Sequence, residues 1–139
     1  MAYLLVVDDV EVVRITVSMI LQRAGHTVDV AIDGGEALNL VEIRPPKAVI
    51  TDLWMPNIDG PHLIRTLRSK YPAVAVVAMS GGSRQYDGES SLERARSAGA
   101  TQLLMKPFSG QDLLAAVDKS IETQRAALAL SDLASCRRL

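Results

Sequence analysis

The sequence predicts an α/β protein folded as a doubly wound parallel sheet, and three observations carry that expectation. Short β-rich apolar runs alternate with longer segments of helical period along the 139 residues. Three of the runs, LLVV, AVI and VAVVAM, are nearly uninterrupted in apolar side chains, as parallel strands covered by helices on both faces require. The connections are short, which favours βα units joined by right-handed crossovers in a single domain.

Taken in order, the runs Tyr3 to Val7, His26 to Ile32, Lys47 to Thr51, Ala73 to Met79 and Thr101 to Met105 are the expected strands. After the first, Val10, Val13, Val17, Ile20 and Ala24 recur at spacings of three and four, an apolar helical stripe that Gly25 is placed to end in a left-handed conformation. Asp33 with Glu36 reads as a capping pair for the second helix, Asp59 before Gly60-Pro61 as the start of the third, and Ser109 with Asp112 as the start of the last. Leu63, Ile64 and Leu67 line the third helix, whereas Leu113, Leu114, Val117 and Ile121 line the fifth. The fourth, from about Ser90 to Ala98, has only Leu92, Ala95 and Ala98 as an inner face and follows the polar stretch GGSRQYDGES. Past Gln124 the chain stays helix-friendly but loses its inner stripe. The expected organisation is one domain over residues 1–124 and a helical extension or frayed tail over 125–139, with no output domain.

Composition narrows the function classes. A net charge of −1 gives no reason to expect nucleic acid or an acidic membrane surface as partner. The lone Cys136 cannot pair within the chain, which suits a reducing compartment, and the start MAYLLVVDD has no basic n-region and is cut short by acids. A cytoplasmic location is therefore expected.

In such sheets ligands bind at the carboxyl ends of the strands, near the switch in strand order. Those ends carry Asp8-Asp9, Asp52, Ser80 and Lys106-Pro107. Singly, each has an ordinary explanation: a helix cap for Asp8 or Asp9, a turn for Asp52 or Ser80, a solvated side chain for Lys106. Together they place three carboxylates, a hydroxyl and an ammonium along one edge. Two unit charges about 4 Å apart repel by roughly 4 kcal/mol at an effective dielectric near 20, so something positive must offset the acids. An oxygen-only acidic set suits Mg²⁺, Lys106 and Ser80 suit phosphoryl oxygens, and a carboxylate can itself attack phosphorus to give an aspartyl phosphate.

These residues, Asp8-Asp9, Asp52 in DLWMPNIDG, Ser80-Gly81 and Lys106-Pro107-Phe108, resemble the receiver domain of two-component response regulators, over residues from about 3 to 124 and of the stand-alone type. The resemblance implies a flavodoxin-like (βα)5 fold of strand order 2-1-3-4-5. It implies Asp52 as phospho-acceptor, Mg²⁺ held by Asp9, by Asp8 mostly through water, by Asp52 and by the Trp54 carbonyl, and Ser80 and Lys106 on the acyl phosphate. Asp59 and Gly60 become structural, and Pro107 is expected after a cis bond. A sensor histidine kinase or histidine phosphotransfer protein would be the donor and an unknown protein the downstream target. The chain would catalyse only its own phosphorylation and dephosphorylation, as a monomer or a weak phosphorylation-linked dimer.

Three departures qualify the resemblance. Leu103 stands where the family often has an aromatic switch residue, three positions before Lys106; Ser80 and Lys106 lie further apart than is usual; and Trp54 and Gly82 flank the path of attacking water. Two other readings compete. One is a phosphatase of the haloacid dehalogenase type, which needs a second acid where Val10 stands; the other is a degenerate receiver that binds without phosphorylation. His26 and His62 read as surface or capping residues, and Met19, Met55, Met79 and Met105 as packing.

Overall fold

The apolar runs form the strands of one sheet, whose central strands are buried on both sides. The computed structural model describes residues 1–53, 60–81 and 88–137, with the side chains of 88–92, 132 and 134–137 outside that description. Strands β1 (Tyr3–Val7), β2 (Thr27–Ala31), β3 (Ala48–Asp52), β4 (Ala75–Ser80) and β5 (Gln102–Met105) alternate with helices α1 (Glu11–Arg23), α2 (Gly34–Ile43), α3 (Gly60–Lys70), α4 (Gly88–Ala98) and α5 (Gly110–Arg137). All strand pairs are parallel, and the order is β2-β1-β3-β4-β5.

Because successive strand side chains point to opposite faces, the sheet makes two cores. Leu5, Val7, Val49 and Val76 pack with Leu63, Ile64, Leu67 and Ala95 on one face. Leu4, Val6, Ile50 and Val77 pack with Val17, Leu21, Leu113 and Val117 on the other. Every residue of β3 and β4 is buried, the pattern of central strands. The edge strand β2 is mostly exposed, although its sequence is as β-branched as theirs.

Several local expectations are met by named bonds. Gly25 takes φ +98 and its N–H donates to Gln22 O at 3.0 Å, which closes α1. Asp33 Oδ1 accepts from Glu36 N at 2.8 Å, and Ser109 and Asp112 cap each other at 3.2 and 3.0 Å. The start of α3 at Asp59 lies outside the described residues.

Other expectations are corrected. The buried face of α1 is Val17, Ser18 and Leu21, while Val10 and Ala24, at the ends of the stripe read from sequence, are exposed. Val10 is the N-cap and Ala24 the C-cap, so neither lies on a full helical turn that reaches the sheet. The strands also shift: β3 begins after Lys47 and takes in Asp52, and β4 begins after Val74 and takes in Ser80. Tertiary pairing moves those boundaries, since the Leu53 N–H donates to Met79 O at 3.2 Å and the Lys106 N–H to Ser80 O at 2.8 Å. Met79 is packing, as read from sequence, but Met19 and Met105 are about half exposed. Helix α5 is longer than its inner stripe and runs to Arg137.

Candidate functional site

Strand register brings the acids together. Val7 pairs with Thr51 across β1 and β3, so Asp8 and Asp52, each one residue further on, reach the carboxyl edge side by side. Ser80 pairs with Met105 across β4 and β5, which puts Lys106 beside it on the same edge. Carboxylate oxygens of Asp8, Asp9 and Asp52 lie within 4.8 Å of one another. Asp8 and Asp52 are buried and Asp9 is exposed.

Lys106 bridges the two buried acids, with Nζ 3.4 Å from Asp8 Oδ2 and 3.5 Å from Asp52 Oδ1. The remaining contacts fix orientation. Asp8 Oδ1 accepts the Val10 N–H at 2.9 Å, so this carboxylate also steadies the entry to α1. Asp52 Oδ1 accepts the Leu53 N–H at 3.0 Å. Burial pushes the Asp52 carboxyl up to about 6; Lys106 pulls against this, Asp8 reinforces it, the Leu53 N–H opposes it and Asp9 adds to it. One ammonium among three carboxylates leaves the cluster short of positive charge. The Ser80 Oγ is buried and has no hydrogen-bond partner among the described residues, so a donor is left at this edge.

Two glycines shape the site by close approach. A Cβ on Gly60 would come within 2.5 Å of Leu53 Cα and 2.6 Å of Asp52 O, so α3 can start here only with a hydrogen at that position. The Gly60 N–H donates to Leu53 O at 3.1 Å and ties α3 to the chain just past Asp52. A Cβ on Gly81 would meet Lys106 Cδ at 3.3 Å, which would crowd the lysine stem. The Lys106–Pro107 bond is cis.

Of the site residues read from sequence, Asp8, Asp9, Asp52, Ser80 and Lys106 share this edge, whereas Trp54 and Asp59 lie outside the described residues. His26 is half-buried and accepts the Ala2 N–H at Nδ1, 3.2 Å away at the opposite end of the sheet. Sequence reasoning missed Arg14, whose Nη1 donates to the Asp8 carbonyl at 2.8 Å. Its signal, an arginine in the first turns of a helix that follows two acids, is too common to single it out.

The donors offered by Asp8, Asp9 and Asp52 are all oxygen, which fits a hard divalent cation that keeps part of its water shell. An acidic cluster with one lysine, at the strand-order switch of a doubly wound parallel sheet, defines a class of single-sheet α/β domains whose chemistry sits between β1 and β3. The profile of the family described as "Response regulator receiver domain" matches residues 4–118, and the chain belongs to that family.

Among curated proteins it is similar to "Response regulator MprA" of Mycobacterium sp. (strain KMS), 37% identical over 112 residues, covering 81% of this chain and 47% of that protein. It is also similar to "Transcriptional regulatory protein PdtaR" of Mycobacterium tuberculosis (strain ATCC 25618 / H37Rv), 35% identical over 127 residues, covering 91% of this chain and 60% of that one. Among solved structures, the receiver domain of NtrX from Brucella abortus superposes with a TM-score of 0.79 at 30% identity, over 86% of this chain and 98% of that one. The chain spans about half the length of the curated relatives it matches.

Proposed function

We propose that this chain is the phospho-accepting receiver of a two-component pathway, taking a phosphoryl group onto Asp52 from a phosphohistidine on a sensor kinase or phosphotransfer protein. The observation that carries the reading is the contact of Lys106 with both buried acids, which joins an ammonium, a nucleophile-grade carboxylate and a second acid in one buried cluster. Asp52 Oδ1 is engaged by Lys106 and the Leu53 N–H, so attack is assigned to Oδ2. The Oδ2–P bond forms as the donor N–P bond breaks, and the departing nitrogen keeps the electron pair. Lys106 then pairs with a phosphoryl oxygen, and Ser80 supplies a hydroxyl donor to another.

Asp8, Asp9 and Asp52 would hold Mg²⁺, with the Trp54 carbonyl as a further ligand; when bound it neutralises charge on the phosphoryl oxygens. The partner protein has a landing surface beside the site. Val12, Ile15 and Met19 of α1 are exposed, an apolar stripe on the helix that follows Asp8-Asp9. The phosphorylated domain signals through protein contacts in the cytoplasm and is a switch with no small-molecule turnover. Residues 1–124 form the receiver unit, and beyond it α5 continues as an extension to Arg137. Among the described residues no helix is long and apolar enough to cross a membrane.

The test is labelling from a small phosphodonor in the presence of Mg²⁺. The native chain is expected to gain an acid-stable, hydroxylamine-labile phosphate and Asp52→Asn is not. Equal labelling of both chains would sink the assignment of Asp52.

A further inference from the structure

At the amino end of the sheet, away from the acidic cluster, the turn between α2 and β3 faces α5 across an open gap. The result is a groove of about 330 Å³ whose apolar walls are Pro45, Pro46, Val74, Ile121 and Leu128. By the same measure one water needs only about 10–15 Å³, so an aliphatic side chain fits. Two cations, Lys47 and Arg125, also line it, and both are exposed. Among the described residues neither has an acidic partner. An apolar slot with two such cations is complementary to an apolar side chain that carries an acid next to it.

That combination exists on the chain itself. Ile43, the last residue of α2, is 80% exposed, and the exposed Glu42 precedes it. Two residues beyond Ile43 the chain enters Pro45-Pro46-Lys47, so knob and groove are neighbours at one end of the molecule. Their backbone is held in place: the Arg44 N–H donates to Leu40 O at 3.0 Å, and the Lys47 N–H to Tyr3 O at 2.9 Å. The Arg44 guanidinium lies 4.0 Å over the Tyr3 ring, whose hydroxyl donates to Asp29 at 2.7 Å. A two-fold contact requires a patch that is complementary to itself, and a knob beside its own matching slot meets that requirement.

We propose that a second copy of this chain docks here, each copy placing Ile43 in the other's groove with Glu42 facing Lys47 and Arg125. Lys47, just before β3, and Asp52, its last residue, stand five residues apart, roughly 16 Å at about 3.3 Å per extended residue. The pairing therefore leaves the Asp52 edge and the exposed face of α1 open to a phosphodonor, and it does not depend on the phosphotransfer reading.

Sedimentation equilibrium of the full chain tests it, without Mg²⁺ or phosphodonor and up to about 1 mM. The native chain is expected to show a monomer–dimer equilibrium. Ile43→Ser is expected to weaken it by about tenfold or more through lost apolar burial, and Glu42→Lys or the double variant Lys47→Glu/Arg125→Glu to weaken it as much by like-charge contact. Circular dichroism checks that each variant stays folded. The two charge variants, each poor at self-association, are expected to pair with one another when mixed, because each then meets opposite charge at both slots. A native chain that stays monomeric throughout, association unchanged in the variants, or failure of the mixed pair to form overturns the proposal.

Discussion

The two ends of the sheet treat buried polar groups in opposite ways. At the amino end, Thr101 Oγ1 accepts the Val76 N–H at 3.2 Å and donates to Gln124 Oε1 at 3.0 Å, while Gln124 Nε2 donates to the Pro72 carbonyl at 2.8 Å. Arg68 adds its two terminal nitrogens, one to the Pro72 carbonyl at 3.3 Å and the other to the Val74 carbonyl. Only its Nε lacks a partner there among the described residues, and burial pulls its guanidinium below the ordinary value. At the carboxyl end, three acids share one lysine, a buried hydroxyl has no described partner and a carboxyl is pushed up to about 6. Polar groups that close on one another hold a fold, whereas groups left short of charge or hydrogen bonds are ready for something from outside. The sheet thus has a structural end and a chemical end.

The contrast can be broken by experiment, and the largest expected effect is on pH-dependent stability. Below about pH 4 the Asp52 carboxyl is protonated folded or unfolded; between 4 and 6 only the unfolded chain releases the proton, so stability falls as pH rises. Above 6 a constant penalty remains, of roughly 3 kcal/mol at most at 1.36 kcal/mol per pH unit. Asp52→Asn is expected to be more stable than the native chain at pH 8 without Mg²⁺, with the gap closing by pH 4 in urea titrations. Added Mg²⁺ is expected to narrow the same gap at pH 8 by stabilising the native chain alone.

Next in size is Lys106→Ala, which removes the only cation paired with the buried carboxylates among the described residues. Labelling of Asp52 by a small phosphodonor is expected to slow by about 10²-fold, the usual cost of one lost donor to a developing oxyanion. Gly60→Ala tests whether the chemical end depends on backbone fit. Overpacking costs about 1–3 kcal/mol, and because the new Cβ presses on the Asp52–Leu53 backbone, chemical denaturation and labelling are expected to suffer together. The smallest effect belongs to the structural end. Gln124→Ala leaves the half-buried Thr101 hydroxyl without its acceptor and should cost about 1 kcal/mol in a urea melt with labelling unchanged.

Much of this was legible before folding. Continuous apolar runs marked the central strands because burial on both faces admits no alternation, and the pairs Asp33 with Glu36 and Ser109 with Asp112 marked helix starts because capping is local. Asp8, Asp9, Asp52, Ser80 and Lys106 could be singled out because parallel topology sends every strand's end to one edge. The inner stripe of α1 holds at its middle, where Val13, Val17 and Ile20 pack on the core, and fails at its ends. Val10 and Ala24 keep the apolar spacing but occupy caps, and Leu21 is fully buried outside the stripe.

The order of apolar runs, the capping pairs and the residue types at the strand ends were determined by sequence alone, since each rests on interactions a few residues long. Tertiary structure decided the rest. The register that puts Asp52 level with Asp8 and the Lys106 bridge across 98 positions join segments distant in the chain, while the reach of Arg14 to the Asp8 carbonyl and the fit of Gly60 against Leu53 set a helix against the strand end before it. Such contacts depend on how helices settle on the sheet, and no local pattern encodes that distance.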